Sequence, residues 1–179
     1  YKHFLKWLSF DKTYLDTQLS RFYYEQKDKS KCKTHIELIK KIWDGRDIII
    51  VEGYETRSGI GNDLYSNAKS IQRILGPALN GFEKYDEIYN FIITHVNKDK
   101  LILLSFGITA TVLAYTLSQK GYQAIDIGHL DIEYEWYRMG AKDRVPIKNK
   151  FTNECSNGHN PEPCQDPEYY KQIIADFSK

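Results

Sequence analysis

The sequence is short of almost everything that would place it outside ordinary globular chemistry. Its three cysteines, Cys32, Cys155 and Cys164, are an odd and sparse set that does not read as a disulfide framework. Cys155 and Cys164 bracket His159, but that spacing matches no common zinc pattern and a fourth ligand is missing. Lys plus Arg number 25 against 24 Asp plus Glu, a formal net charge of +1, so no basic excess points to a polyanion such as nucleic acid. Long apolar runs are missing too. The longest, Ile48 to Val51 and Leu101 to Leu104, are far too short to span a bilayer, and no signal-peptide pattern opens the chain. The expectation is a soluble, cytoplasmic protein. Because residue 1 is Tyr rather than Met, the chain is also expected to be a fragment or a processed product.

What is present is a repeating alternation. Tyr1 to Lys31 carries Phe4, Leu5, Leu8, Leu15, Leu19, Phe22 and Tyr23 at helix-like spacings, which predicts one or two amphipathic helices in an arm that packs on the domain or on a second copy. Thr34-His-Ile-Glu37 has the form of a capping box and predicts a helix over 35–43, closed by Gly45. Asp47 to Val51 is continuously apolar and β-branched, as a strand covered on both faces must be. A short helix over 64–69, strands over 70–75 and 101–106, a helix over 85–96 and another ending at Gly121 follow, with a fourth strand over 122–127. Such alternation predicts a Rossmann-like α/β fold, a mostly parallel sheet with helices on both faces. Residues 1–34 would form the arm and 35–179 a single domain.

Four loops would then share one rim. In the first, Gly53, Gly59 and Gly61 allow close backbone approach, Arg57 offers a fork suited to phosphate, and Glu52, Asn62 and Asp63 add hydrogen-bonding capacity. An ordinary strand-to-helix connection would use the same residues. Gly107-Ile-Thr-Ala-Thr111 places a glycine and two hydroxyls at a helix start, where free amides attract an anion, although Thr109 also serves as a plain N-cap. In the last loop Asp126, His129, Asp131 and Glu133 crowd eight positions. Their mutual repulsion suggests a divalent metal between them, while the alternative is a helix start whose dipole favours Asp131 and Glu133. A diphosphate suits a rim of this kind.

The motifs Val51-Glu-Gly, Ser58-Gly-Ile-Gly-Asn-Asp-Leu64, Arg73-Ile-Leu-Gly-Pro77, Lys84-Tyr-Asp-Glu87, Gly107-Ile-Thr-Ala-Thr-Val-Leu-Ala-Tyr115 and Gly121 through Trp136 resemble bacterial glycosyltransferases of the GT-D fold. Members of that family are associated with O-glycans on serine-rich surface adhesins. The resemblance covers roughly residues 35–155, and the family more often carries Cys at the position of Gly76 and Pro at that of Ile108. It implies a UDP-sugar donor, a glycan or glycoprotein acceptor, and transfer of a hexose such as glucose or galactose. It also implies an Asp-x-Glu metal motif on Asp131 and Glu133, with Mn2+ or else Mg2+. The implied nucleotide-sugar site comprises Glu52, Gly53, Arg57, Ser58, Gly59, Asn62, Asp63, Pro77, Gly107, Thr109 and Asp131, with Glu52 and His129 as candidate bases. On that reading Asp131→Ala or Glu133→Ala would abolish transfer and spare the fold. The alternative from another class is a non-catalytic nucleotide-binding or assembly module. A nicotinamide-dependent oxidoreductase is disfavoured, since no complete Gly-x-Gly-x-x-Gly follows a strand.

Overall fold

The computed structural model describes residues 5, 6, 8–13 and 18–179. Five strands form one wholly parallel sheet: β1 (Asp47–Gly53), β2 (Ser70–Gly76), β3 (Leu101–Ser105), β4 (Gln123–Asp126) and β5 (Ile173–Asp176), in the order β4-β3-β1-β2-β5. The helices are α1 (Cys32–Lys40), α2 (Tyr85–His95), α3 (Gly107–Gln119), α4 (Leu130–Met139) and α5 (Pro167–Gln172). Among the described residues no helix is long and apolar enough to cross a membrane.

The central strand shows why its sequence has no polar alternation. Ile49 and Val51 face a core built with Ile88 and Ile92 of α2 and Leu113 and Leu117 of α3. Ile48 and Ile50 face the opposite core, which contains Ile36 of α1, Trp43, Ile132 and Trp136 of α4. Every position of β1 from Ile48 onward is buried, and each such isoleucine contributes about 1.5–3 kcal/mol by leaving water. Connections that lead one way along the sheet (α2 and α3) cover one face. The β1–β2 loop and α4, which lead the other way, cover the other. A uniform crossover hand dictates this division.

One consequence positions the site. Past β1 the chain turns toward β2, and past β3 it turns toward β4 on the far side. The order therefore reverses between β1 and β3, and a crevice at the carboxyl ends of those two strands is where open α/β sheets receive ligands.

Several expected elements differ. Thr34 is not a cap: α1 begins at Cys32, after a 3-10 turn over Lys29–Lys31 whose own cap is Asp28. Residues 64–69 form turns rather than a helix, and α5 and β5 were not expected at all. In the arm, the described residues 8–13 and 18–28 show turns and bends instead of helix, while Phe4 and Leu15 lie outside the described residues. Phe22 and Tyr23 are buried in the chain's own core.

Candidate functional site

Glu52 stands near the end of β1, and Arg73 projects from the adjacent β2, where a charged residue inside an apolar strand must find a partner. The two form a fully buried ion pair from Arg73 Nη1 to Glu52 Oε1. The second Glu52 oxygen accepts the Ser58 amide at 2.7 Å. Arg73 also donates to the Ser58 carbonyl at 2.8 Å and to Gln172 Oε1 at 2.7 Å, beneath the Tyr169 ring. Burial pushes the Glu52 carboxyl up, against the pull of Arg73 and the Ser58 amide. Glu52 therefore has neither a free oxygen nor solvent access, and its expected role as a base gives way to that of a strut under the 53–63 loop.

The rest of that loop is fastened in the same inward sense. The Ser58 hydroxyl meets the Tyr65 hydroxyl at 2.8 Å, and burial raises the Tyr65 phenol. Arg57, at a φ of +49°, donates to the carbonyls of Asn149 at 2.7 Å and Glu162 at 2.5 Å. Its guanidinium is thus committed to the chain rather than offered to phosphate, and its buried Nε has no partner. Gly59 takes a φ of +78°, and a Cβ there would lie 2.4 Å from the Tyr65 ring. Asp63 accepts from Tyr134 at 2.8 Å and Lys40 at 3.0 Å, with the Tyr134 hydroxyl chiefly holding its carboxyl low. Of the residues in this loop predicted to contact a nucleotide sugar, Ser58 braces the loop against Tyr65, Asn62 ties it to Asp131 and Glu135, and Asp63 ties it to Tyr134 and Lys40. Gly53 stays close to the second loop, where a Cβ on it would lie 3.2 Å from the Pro77 carbonyl oxygen.

The Asp-x-Glu pair does not converge. Residues two apart on an α-helix point about 200° apart around its axis. Asp131 Oδ1 accepts the Gly59 amide and Asn62 Nδ2, each at 2.8 Å, and Oδ2 takes the Lys150 ammonium at 2.7 Å. Lys150 also lies 3.3 Å from Glu135, and both Asp131 and Lys150 are nearly inaccessible, at 3% and 4% exposure. Glu133 turns to the arm, where Oε2 accepts the amides of Tyr23 at 3.0 Å and Tyr24 at 2.8 Å. Burial pushes its carboxyl up. Its other oxygen is buried without a hydrogen bond, 3.9 Å from Arg21. The expectation that one ion sits between Asp131 and Glu133 does not fit this arrangement, in which Lys150 already supplies the cation at Asp131. Among the described residues no group of three His, Cys, Asp or Glu side chains is placed to hold a metal.

The crevice itself keeps the other half of the expected rim. Gly107 opens α3 at a φ of +53°, no side chain caps the helix, and its first turn contains no acid. Thr109 is buried rather than capping. The Phe106 ring fills a slot that only glycines allow, since a Cβ at Gly76 or Gly81 would lie 2.3 or 2.6 Å from it. Across the rim, His129 ends the β4–α4 turn with Nδ1 3.3 Å from Glu154, which also holds Arg21 at 3.1 Å. Burial pushes the imidazole down and Glu154 pulls it up, leaving it below the usual histidine value and neutral at pH 7. Lys150 and Glu154 lie in a polar run with no periodicity, so nothing in the sequence marked them. Arg73 was missed as well, although a charge set between Gln72 and Ile74 in a strand is a signal that could have found it.

The family model described as the glycosyltransferase GT-D fold matches residues 1–155. The chain belongs to the GT-D glycosyltransferase family. It is 43% identical over 175 residues to glycosyltransferase GlyD of Streptococcus pneumoniae serotype 4, and 40% identical over 166 residues to "Probable glycosyl transferase Gly" of Streptococcus gordonii. These alignments take in 98% and 93% of this chain but only 21% and 24% of those proteins. A solved structure of domain of unknown function 1792, described as a distinct glycosyltransferase fold, superposes with a TM-score of 0.87 at 43% identity. A second, described as a new glycosyltransferase from Streptococcus sanguinis, gives 0.89 at 39% identity. Each superposition covers 98% of this chain, but 65% and 66% of the solved chains. This GT-D chain is thus about two thirds as long as the solved relatives and a fifth to a quarter of the curated ones.

Proposed function

We propose that this GT-D chain carries the donor-binding part of a glycosyltransferase that moves a hexose, glucose or galactose, from a UDP-sugar to a hydroxyl of a glycan or glycoprotein. The observation that carries this reading is an uncapped helix start, without acids in its first turn, at the β1/β3 reversal of a GT-D chain. Free amides and the positive end of the α3 dipole suit a diphosphate there. As the bond from sugar C1 to the diphosphate oxygen lengthens, negative charge grows on the departing UDP. Amides already aimed at that charge need no reorganisation, and one such donor is typically worth about 2.7–4 kcal/mol at the transition state.

An acceptor hydroxyl must also give up a proton. His129, neutral and oriented by Glu154, fits the part of base better than the sealed Glu52. None of these steps calls on an ion held jointly by Asp131 and Glu133. A divalent ion such as Mn2+ or Mg2+ would have to draw its ligands from the diphosphate and other groups. Incubation with a panel of UDP-sugars, with and without added Mn2+, tests the reading by UDP release. Slow hydrolysis of one UDP-hexose supports it, whereas tight binding with no turnover in the presence of acceptor glycans supports an assembly module instead.

A further inference from the structure

A cleft of about 310 Å3 opens on the same rim, over the ends of β1 and β2 and beside the β1/β3 crevice. Tyr54 and Glu55 line it from the end of β1, Leu79 from the loop past β2, and Phe151, His159 and Asn160 from the segment after α4. That last wall is fixed in place. Arg57 donates to the carbonyls of Asn149 and Glu162 at either end of it, and the Phe151 amide donates to the Glu55 carbonyl at 2.9 Å. Within it the Thr152 amide closes on the Gly158 carbonyl at 2.8 Å, and a Cβ on Gly158 would lie 2.4 Å from the Thr152 carbonyl oxygen. The turn that only glycine permits brings His159 back over Phe151, with ring centroids 4.9 Å apart and planes 9° from parallel. Tyr54 and Leu79 remain 41% and 65% exposed beside this stack.

We propose that this cleft holds a pyranose ring of the acceptor glycan, an inference that rests on the glycosyl-transfer reading for the word acceptor but not for the sugar. A pyranose has an apolar C–H face and a rim of hydroxyls. The first matches the rings of Tyr54, Phe151 and His159. The second matches the donors and acceptors of the exposed His159 and Asn160, with the buried Glu55, whose carboxylate bonds the Tyr54 side chain, behind them. A phosphorylated ligand is a poor match, because no Lys or Arg lines the cleft and the carboxylate of Glu55 does. The cleft is also near the lower bound of small-molecule sites, about 300 Å3, which suits one or two sugar rings rather than a whole nucleotide sugar. Arg57, expected from sequence as a phosphate ligand, acts here as the clasp that holds the sugar wall.

The test is an NMR titration of the isotopically labelled chain with methyl glucoside, methyl galactoside and, separately, UMP. One glycoside should move the amides of Tyr54, Phe151, His159 and Asn160, while UMP leaves them still. Phe151→Ala should weaken glycoside binding by about tenfold, the loss of one stacking contact with its packing. The exposed Asn160→Gly, which removes no core contact and tolerates the φ of +53° found there, should weaken it in the same direction, and both should leave UMP affinity within about twofold. Glycosides that leave these amides unmoved up to tens of millimolar, or UMP that moves them, would overturn the proposal. The binding readout is separate from turnover: glycoside shifts at the cleft in a chain that releases no UDP uphold the sugar site and sink the transfer reading alone.

Discussion

Replacing Arg73 by methionine isolates the claim that Glu52 is a strut and not a base. Methionine keeps most of the stem volume but leaves the Glu52 carboxylate at 0% exposure without its cation. Removing one partner of a buried pair typically costs about 3–5 kcal/mol, because the remaining charge is stranded in a medium that cannot solvate it. For a chain of this length each kcal/mol lowers Tm by about 2–4 °C, so the expected drop is about 6–20 °C. Urea unfolding followed by fluorescence is well suited, since Trp43 and Trp136 are both fully buried. The deficit should shrink as pH falls toward 5. Glu52 already has a raised pKa, and protonating it removes the stranded charge. The double variant Glu52→Gln/Arg73→Met should recover most of the loss, because the Gln amide oxygen still accepts from the Ser58 amide. An Arg73→Met chain that melts within about 2 °C of the parent would refute the reasoning. So would a Glu52→Gln chain that melts normally but no longer turns over.

Other expectations follow from the same geometry. Asp131→Ala leaves the buried Lys150 with Glu135 alone and orphans the Gly59 amide, so it should lower stability by about 1–3 kcal/mol in urea titrations rather than spare the fold. A normal Tm in that variant would restore the metal reading. Added Mn2+ should leave the Tm of the nucleotide-free chain unchanged, because Lys150 holds Asp131 and the amides of Tyr23 and Tyr24 hold Glu133. Gly59→Ala should cost at least about 1 kcal/mol, since its φ is left-handed and the Tyr65 ring occupies the methyl's place; a melting curve within error of the parent would contradict this. The pKa of His129 lies below its ordinary 6.5, so in the fold it stays neutral where the unfolded chain takes up a proton. Its contribution to stability is therefore present above pH 6.5 and lost as pH falls. If it is the base, kcat/KM should show an acid limb below the same value that His129→Gln abolishes.

How much of this could be read from the chain depended on whether a residue's role is local. Ile48 to Val51 announced a doubly covered strand because burial on two faces leaves no room for alternation, and the shared rim followed from parallel strands. The start of α3 was likewise visible as strand, glycine, then helix, but that it is uncapped was not, since Thr109 read equally well as the cap. The roles of the charged residues were not local. Arg57 reads as a phosphate fork until the chain folds 92 residues onward to give it the Asn149 carbonyl. Asp131 and Glu133 look like a pair in sequence, yet helical geometry sends one to Lys150 and the other to the arm. The helix-start alternative put both in the first turn of a helix, where they lie, but as solvated residues, whereas Asp131 and Glu133 are 3% and 0% exposed. Tyr23 and Tyr24 in turn gave no sign that their amides, rather than their rings, would anchor the arm on Glu133.

The donor site is tested most directly by UDP release from UDP-glucose and UDP-galactose, comparing the chain with its Ile108→Asp variant. Ile108 is 88% exposed in the first turn of α3, so the change removes no core contact and sets a carboxylate where the diphosphate would sit. An acid in a first helical turn favours the helix, so Tm should hold or rise slightly. UDP release from one of the two donors by the parent chain is expected, with a loss of at least about tenfold, worth about 1.4 kcal/mol, in the variant. Equal release by both chains, or none by the parent with either sugar, would contradict a diphosphate site at the start of α3.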